Sequence, residues 1–466
     1  MAGIGFELKK VFRNLTITNV FKGFSHGTFI SVGPMFTSIL IILFIEKILN
    51  FSNIAMSDRE ALKAAVMYAY VFSMINASGL IMIISRYIAD KIYIKDTTDI
   101  LASLIGIVSI SLLISGIMGW GFYYKSPLPL LFKYLSFILF AELSILYILM
   151  AYISAVKDYK KVTFAFITGL IMSVISTLLL RYVNVDVIYS FFLGIIIGFF
   201  SIILLLTLII KRYFTVLSPN IFCFLPYIKK HPMLFLTNLF YTIGIFIHNI
   251  IFWKYSSISK NVMNTFYFAP AYDTASFFAI LTTIPAAILF IVKMETSFYE
   301  KYRNFCVSIV DGGSLRDLTS TKDKMVATLK RELTFIMEVQ FITTVLFIVL
   351  GVNIILPMFA NDKMTMELYV FLSIGFFMSY MSFIIITILI YFDNQKHTLI
   401  VSSALLITTV IFTLLSIYLG EDYFGLGFDI GALVSLLVSL RFLNRSMGEI
   451  DYQIFSRQKF NNKLKE

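Results

Sequence analysis

Long apolar runs, each close to 20 residues and separated by short polar stretches, set the pattern of this chain. Twelve of them are predicted to be membrane-spanning helices, at about 27–49, 64–86, 100–122, 132–155, 162–181, 187–210, 232–253, 268–292, 333–358, 367–391, 397–419 and 424–443. About 20 apolar residues suffice to cross a bilayer core as a helix. Ahead of the first run, Ile4, Leu8, Val11, Phe12 and Leu15 recur at helical spacing, interleaved with Lys9, Lys10 and Arg13. That pattern predicts an amphipathic helix over 1–23, lying on the membrane surface. A plain basic leader is the alternative, and no signal peptide is expected.

The eighth run is unlike the rest. It carries Pro270, Asp273 and Pro285 inside an apolar stretch and leads into Lys293, Glu295, Glu300, Lys301 and Arg303. A carboxylate placed in lipid usually faces a partner or a water-filled path.

Charge then orients the helices. With the N-terminus in the cytoplasm, the segments on that side hold 29 of the 38 Lys and Arg. Cytoplasmic loops are enriched in these residues, so both termini are expected inside. Trp120 with Tyr123 and Tyr124, and Trp253 with Tyr255, then fall at outer ends, where aromatic belts form. Six spans precede residue 212 and six follow 231, each half beginning and ending inside. This predicts a parallel repeat: bundles at 24–211 and 231–444, a cytoplasmic linker at 212–230 with Pro219 and Pro226, a cytoplasmic loop at 293–332, and a tail at 445–466. The expected fold class is an all-α membrane protein of twelve helices in two six-helix bundles.

Composition agrees. The chain of 466 residues is 59% hydrophobic and 14% charged, against about 25% charged in a soluble domain. The net charge of +11 reads as topology and not as nucleic-acid binding. Cys223 and Cys306 both lie on the reducing side and are expected as free thiols. No phosphate loop, metal signature or nucleophilic triad is present, so neither enzymatic activity nor a cofactor or metal is expected.

Candidate chemistry lies in polar residues within spans. In span 7, Asn238, Tyr241, Ile245 and His248 share a helical face, with Thr242 and Asn249 beside it. Span 8 adds Asp273 and Ser276, span 2 Asn76, and span 4 Glu142. One reading is a translocation path between the bundles. The other is interhelical hydrogen bonding, worth about 0.6 kcal/mol per contact. For Asp273 a third role competes: with Pro270 as first helical residue, it caps the outer end of span 8. Glu338 is expected to pair with Lys330 or Arg331. Lys9, Lys10, Arg13, Lys301 and Arg303 are candidates for docking a cytoplasmic partner.

Several blocks resemble the PelG family, inner-membrane export proteins of Pel polysaccharide systems. They are MAGIGFELKKVF at 1–12, SVGP at 31–34, SRYIADKIY at 85–93, AYISAVKDYKKV at 151–162, the stretch 238–253, and YDTASFFAILTTIPAAILFIVKMETSFYEKY at 272–302. Met35 stands where the family's GP is usually followed by Trp. The resemblance implies a MATE-like member of the MOP flippase superfamily. It implies export of a polymer rich in N-acetylgalactosamine, with the glycosyltransferase PelF, the membrane protein PelE and the cyclic-di-GMP receptor PelD as partners. Competing readings are an ion-coupled small-molecule antiporter, a lipid-linked oligosaccharide flippase, a scaffold for the synthase, and a membrane-embedded glycosyltransferase. The antiporter reading is weakened because span 1 offers only Glu46, near its outer end.

Overall fold

The structure, a computed structural model, describes residues 26–29, 33–34, 36–37, 40, 56–156, 158–358 and 362–450. The predicted N-terminal helix with Lys9, Lys10 and Arg13, most of the first predicted span, and most of the tail lie outside the described residues.

The described residues are nearly all helical. In order they are α1 (Met56–Tyr93), α2 (Ile100–Tyr123), α3 (Leu130–Ile153), α4 (Tyr159–Tyr182), α5 (Val187–Tyr213), the short α6 (Leu225–Lys230) and α7 (Pro232–Tyr255). A two-stranded ribbon follows, β1 (Lys260–Val262) and β2 (Phe266–Phe268). Then come α8 (Pro270–Leu281), α9 (Ile284–Lys293), α10 (Tyr299–Val310), α11 (Leu315–Leu350), α12 (Lys363–Tyr391), α13 (Gln395–Leu419) and α14 (Leu426–Gly448). Eleven helical segments among the described residues are long and apolar enough to cross a membrane. They match the predicted spans 2 to 12. The chain is a multi-pass membrane protein.

Helix ends follow local chemistry. Asp158, Asp186 and Asp362 cap α4, α5 and α12 by accepting the backbone N–H groups of Lys161, Ile188 and Thr365. Between α1 and α2, Lys91 reaches Asp96 at 2.6 Å and Asp99 at 3.1 Å. The ammonium holds the Asp96 carboxyl down to about 2.

Packing sorts the helices into two sets. Helices α1 to α5 pack on one another, and α7 to α14 do the same; α1 against α7 is the main helix contact between the sets. Small residues allow the closest approach, as expected where lipid supplies no hydrophobic drive between helices. At Gly169 of α4, a Cβ would meet Ile202 Cγ1 of α5 at 2.2 Å. The end of the molecule carrying the 214–231 connection is called the linker end below, and the opposite end the hairpin end.

Three features differ from the sequence expectation. The eighth span is not continuous: α8 stops at Leu281 and α9 starts at Ile284. Pro285 has no N–H and its ring crowds the preceding turn, which ends a helix. The stretch expected as loop 293–332 is mostly helix, a π-helical turn at Met294–Phe298 leading into α10, then α11. Helix α11 has 36 residues and is about 54 Å long at 1.5 Å per residue, well over the roughly 30 Å of a bilayer core. The third difference is the β-ribbon, which lies between the predicted spans 7 and 8, where the sequence predicts no element.

Candidate functional site

A cavity of about 390 Å³ lies between the two helical sets. The first set contributes Ser78 and Ser85 of α1, Tyr147 and Met150 of α3, and Ser154 just beyond α3. From the second set come Asn238, Tyr241 and Thr242 of α7, Thr283 at the break after α8, and Phe376, Ser379, Tyr380 and Phe383 of α12. These positions fall from the middle of their helices toward the linker end. Among the described lining residues there is no Lys, Arg, Asp, Glu or His. The walls combine aromatic faces and hydroxyls with aliphatic side chains, among them Met74, Ile81 and Ile245. Asn238 Nδ2 donates to the Ser78 carbonyl at 2.6 Å, joining the sets at the cavity wall. The Tyr241 hydroxyl donates to the Ser379 carbonyl at 3.0 Å, and its ring lies 5.1 Å from Phe383.

Of the sequence candidates, Asn238, Tyr241 and Thr242 line this cavity. Four others come together nearer the hairpin end, in a compact buried cluster. Asp273 accepts from Asn249 Nδ2 at 3.0 Å, from Trp253 Nε1 at 2.9 Å and from the Ala269 N–H at 2.8 Å. Ser276 donates to Asn249 Oδ1 at 3.3 Å, and His248 Nδ1 meets the Tyr272 hydroxyl at 2.7 Å. Asp273 therefore reaches back to the N-cap N–H of its own helix. It also holds the indole of the preceding one.

Asn76 and Glu142 sit elsewhere. The Asn76 amide lies within 3.3 Å of the Ser111, Ser115 and Ser144 hydroxyls, tying α1, α2 and α3 together inside the first set. Glu142 is buried in α3, and its Oε2 has no partner among the described residues. Neither borders the 390 Å³ cavity. The ion pairing expected at Glu338 falls one helical turn and a half earlier, on Glu332, which meets Lys293 at 3.0 Å and Arg331 at 2.7 Å. Lys301 pairs with its neighbour Glu300, and Arg303 is exposed.

Sequence reading missed the α12 wall. Phe376, Ser379, Tyr380 and Phe383 are spaced at three, four and seven, one helical face. That spacing was the available signal. It was hidden because aromatic residues in an apolar run look like ordinary packing.

The hairpin end is closed. The β-ribbon turns on Met263 and Asn264, both at positive φ, as a tight turn between antiparallel strands requires. The Tyr68 hydroxyl of α1 donates to the Tyr267 carbonyl at 2.8 Å and accepts its N–H at 3.2 Å. The Tyr68 ring stacks on Trp253 at 4.5 Å. Ser126 and Thr265 meet at 2.7 Å, and Lys260 pairs with Glu60 at 3.5 Å. A ribbon from the second set is thus fastened to the first by backbone, side-chain and charge contacts.

This architecture, helices in two packed sets with a cavity between them, is that of a known transporter class. A MOP superfamily transporter from Pyrococcus furiosus, described with reversed polarity in its binding pocket, aligns at a TM-score of 0.60 and 12% identity, covering 92% of this chain and 94% of that one. An outward-facing multidrug resistance MATE transporter aligns at 0.60 and 13%, covering 92% and 96%. An inward-facing one aligns at 0.52 and 13%, covering 96% and 98%. The fold is of the MATE/MOP transporter type. No curated protein matches the sequence. The family model described as "PelG: Putative exopolysaccharide Exporter (EPS-E)" matches residues 1–455, and the chain belongs to that family.

Proposed function

We propose that this chain carries a Pel-type, N-acetylgalactosamine-rich polysaccharide across the bacterial cytoplasmic membrane, without chemistry of its own. Twelve helices in two bundles complete the reading, the first helix falling at 27–49. Both termini and the linker end face the cytoplasm, and the cavity lies toward the side where polymer is made. The observation that carries the proposal is the cavity lining. A lining of aromatic faces, hydroxyls and aliphatic side chains, with no charged side chain among the described lining residues, suits a neutral sugar chain that must be held weakly enough to move. A lipid-pyrophosphate substrate would call for Arg or Lys at the site, because phosphate oxygens are best met by charge-assisted bonds.

Partners follow from the same reading. PelF, PelE and PelD would assemble at the linker end, where α10 and α11 extend past the bilayer and end in exposed Val310 and Leu315. Lys9, Lys10, Arg13, Lys301 and Arg303 are the proposed docking cations. Charge reversal at Lys9, Lys10 and Arg13 should weaken co-purification of PelF while leaving insertion intact. Undiminished co-purification, both from this variant and from one lacking the 299–330 hairpin, removes the docking surface.

The transport role is tested by deleting the chain from a strain with an intact synthase. Polymer should vanish from the medium and accumulate inside. Secretion at the original level would refute the proposal, and loss of polymer both inside and outside would favour the scaffold reading.

A further inference from the structure

The connection between the two helical sets is fastened on one side and bare on the other. Phe224 is fully buried. Cys223 Sγ lies 3.1 Å from the Tyr87 hydroxyl, and the Tyr227 ring meets Tyr87 edge-on at 5.2 Å. Burial pushes the Cys223 thiol up from its ordinary value. The opposite side presents Val216, Leu217, Phe222 and Leu225, each between 40% and 59% exposed. Four large apolar side chains in about ten residues are not left to water without a reason.

Depth gives the reason. Gly106 of α2 is in contact with this segment: a Cβ there would lie 1.9 Å from the Ile221 carbonyl oxygen and 3.1 Å from Phe224. Helix α2 starts at Ile100, so Gly106 sits six residues in, about 9 Å along a membrane-spanning helix. The segment is drawn down beside a span, to the level where interfacial elements bury their apolar face, about 5–10 Å into the headgroup boundary.

Charge names the lipid. Lys211 and Arg212 precede the segment, Lys229 and Lys230 close it, and all four are exposed. None is ion-paired to a carboxylate among the described residues. We infer that residues 213–230 form an in-plane membrane anchor that joins the helical sets and binds anionic phospholipid headgroups through these four cations. An apolar face bordered by Lys and Arg is the pattern that such surfaces select, each cation near an anionic surface contributing about a fivefold preference.

The test uses the full chain in lipid nanodiscs. A nitroxide is placed at Leu217→Cys in a Cys223→Ser, Cys306→Ser background, with Lys95→Cys, in an exposed turn at the same end, as reference. The label at 217 should be shielded from an aqueous nickel chelate and open to oxygen, and the label at 95 should show the reverse. Equal nickel access at both positions overturns the anchor, and is the result a surface kept for a soluble protein would give. For the headgroups, Lys211→Gln, Arg212→Gln, Lys229→Gln and Lys230→Gln together should cut phosphatidylglycerol retained in native mass spectra several-fold, with phosphatidylcholine unchanged. If the fourfold variant does not fold, Lys229→Gln with Lys230→Gln is read in its place. Undiminished phosphatidylglycerol overturns the lipid preference.

Discussion

Thr282 and Ala286 stand four residues apart, the spacing of an α-helical hydrogen bond, yet the bond between them runs through the side chain of Gln340. Gln340 Nε2 donates to the Thr282 carbonyl at 2.7 Å, and its Oε1 accepts the Ala286 N–H at 3.0 Å. An amide from α11 is thus inserted where the α8–α9 ladder is broken. Lipid offers no substitute partner, so irregular backbone at membrane depth persists only when protein satisfies it. The break borders the cavity through Thr283.

Gln340→Leu should therefore leave a buried donor and a buried acceptor without partners, costing about 1–3 kcal/mol for each such group. Gln340→Glu keeps the acceptor for Ala286 but can donate to the Thr282 carbonyl only as the neutral acid, so it should cost less than Gln340→Leu at low pH and lose that advantage as pH rises. Thermal unfolding in detergent reads both, and equal melting of wild type and Gln340→Leu would dismiss the staple.

Closure at the hairpin end can be locked. Ser126 and Thr265 have their hydroxyls 2.7 Å apart, close enough for a cysteine pair to be oxidised. In a background lacking Cys223 and Cys306, Ser126→Cys with Thr265→Cys should lose polymer secretion on oxidation and regain it on reduction. Secretion unaffected by a disulfide shown to be formed would mean that the ribbon does not gate export.

Tyr241→Ala removes an aromatic wall from the cavity and should lower secreted polymer several-fold at equal protein level. Ser373→Ala is the control: Ser373 is fully buried, borders no part of the cavity, and bonds the Tyr369 carbonyl of its own helix. Equal secretion by the two variants would count against the cavity as the route. Glu142 borders no part of that cavity, so Glu142→Gln should act on stability and leave secretion per folded molecule unchanged.

Orientation is read by thiol labelling of intact cells. Cysteines introduced at Ser126 and Tyr255 should react with an impermeant reagent, whereas native Cys223 and Cys306 should not. Modification of Cys306 in unbroken cells would reverse the proposed topology.

Spans 2 to 12 were legible because hydrophobic length is a local property, and most of the first span lies outside the described residues. The break at Thr282 was half legible: Pro285 announced it, but the distant Gln340 that makes it tolerable did not. Asp273 illustrates the ambiguity of a lone buried carboxylate. Sequence spacing allowed both a path and a cap, and its partners Trp253 and Asn249 were set by how α7 and α8 meet. Pairs distant in sequence, such as Tyr68 with Tyr267, lie about 200 residues apart and leave no periodic trace.

Under the proposed function, the ribbon held by Tyr68 and Trp253 would set a requirement that a carrier of small molecules escapes. A compact cargo can be taken in at one end and let out at the other, with a door closing behind it. A polymer still growing at its synthase is a continuous thread and occupies both ends of its route at once. The ribbon would then be propped open for the whole passage, not swung once per cycle. Through that time the Tyr68 and Trp253 rings, parted from each other, would face the sliding sugars from opposite banks.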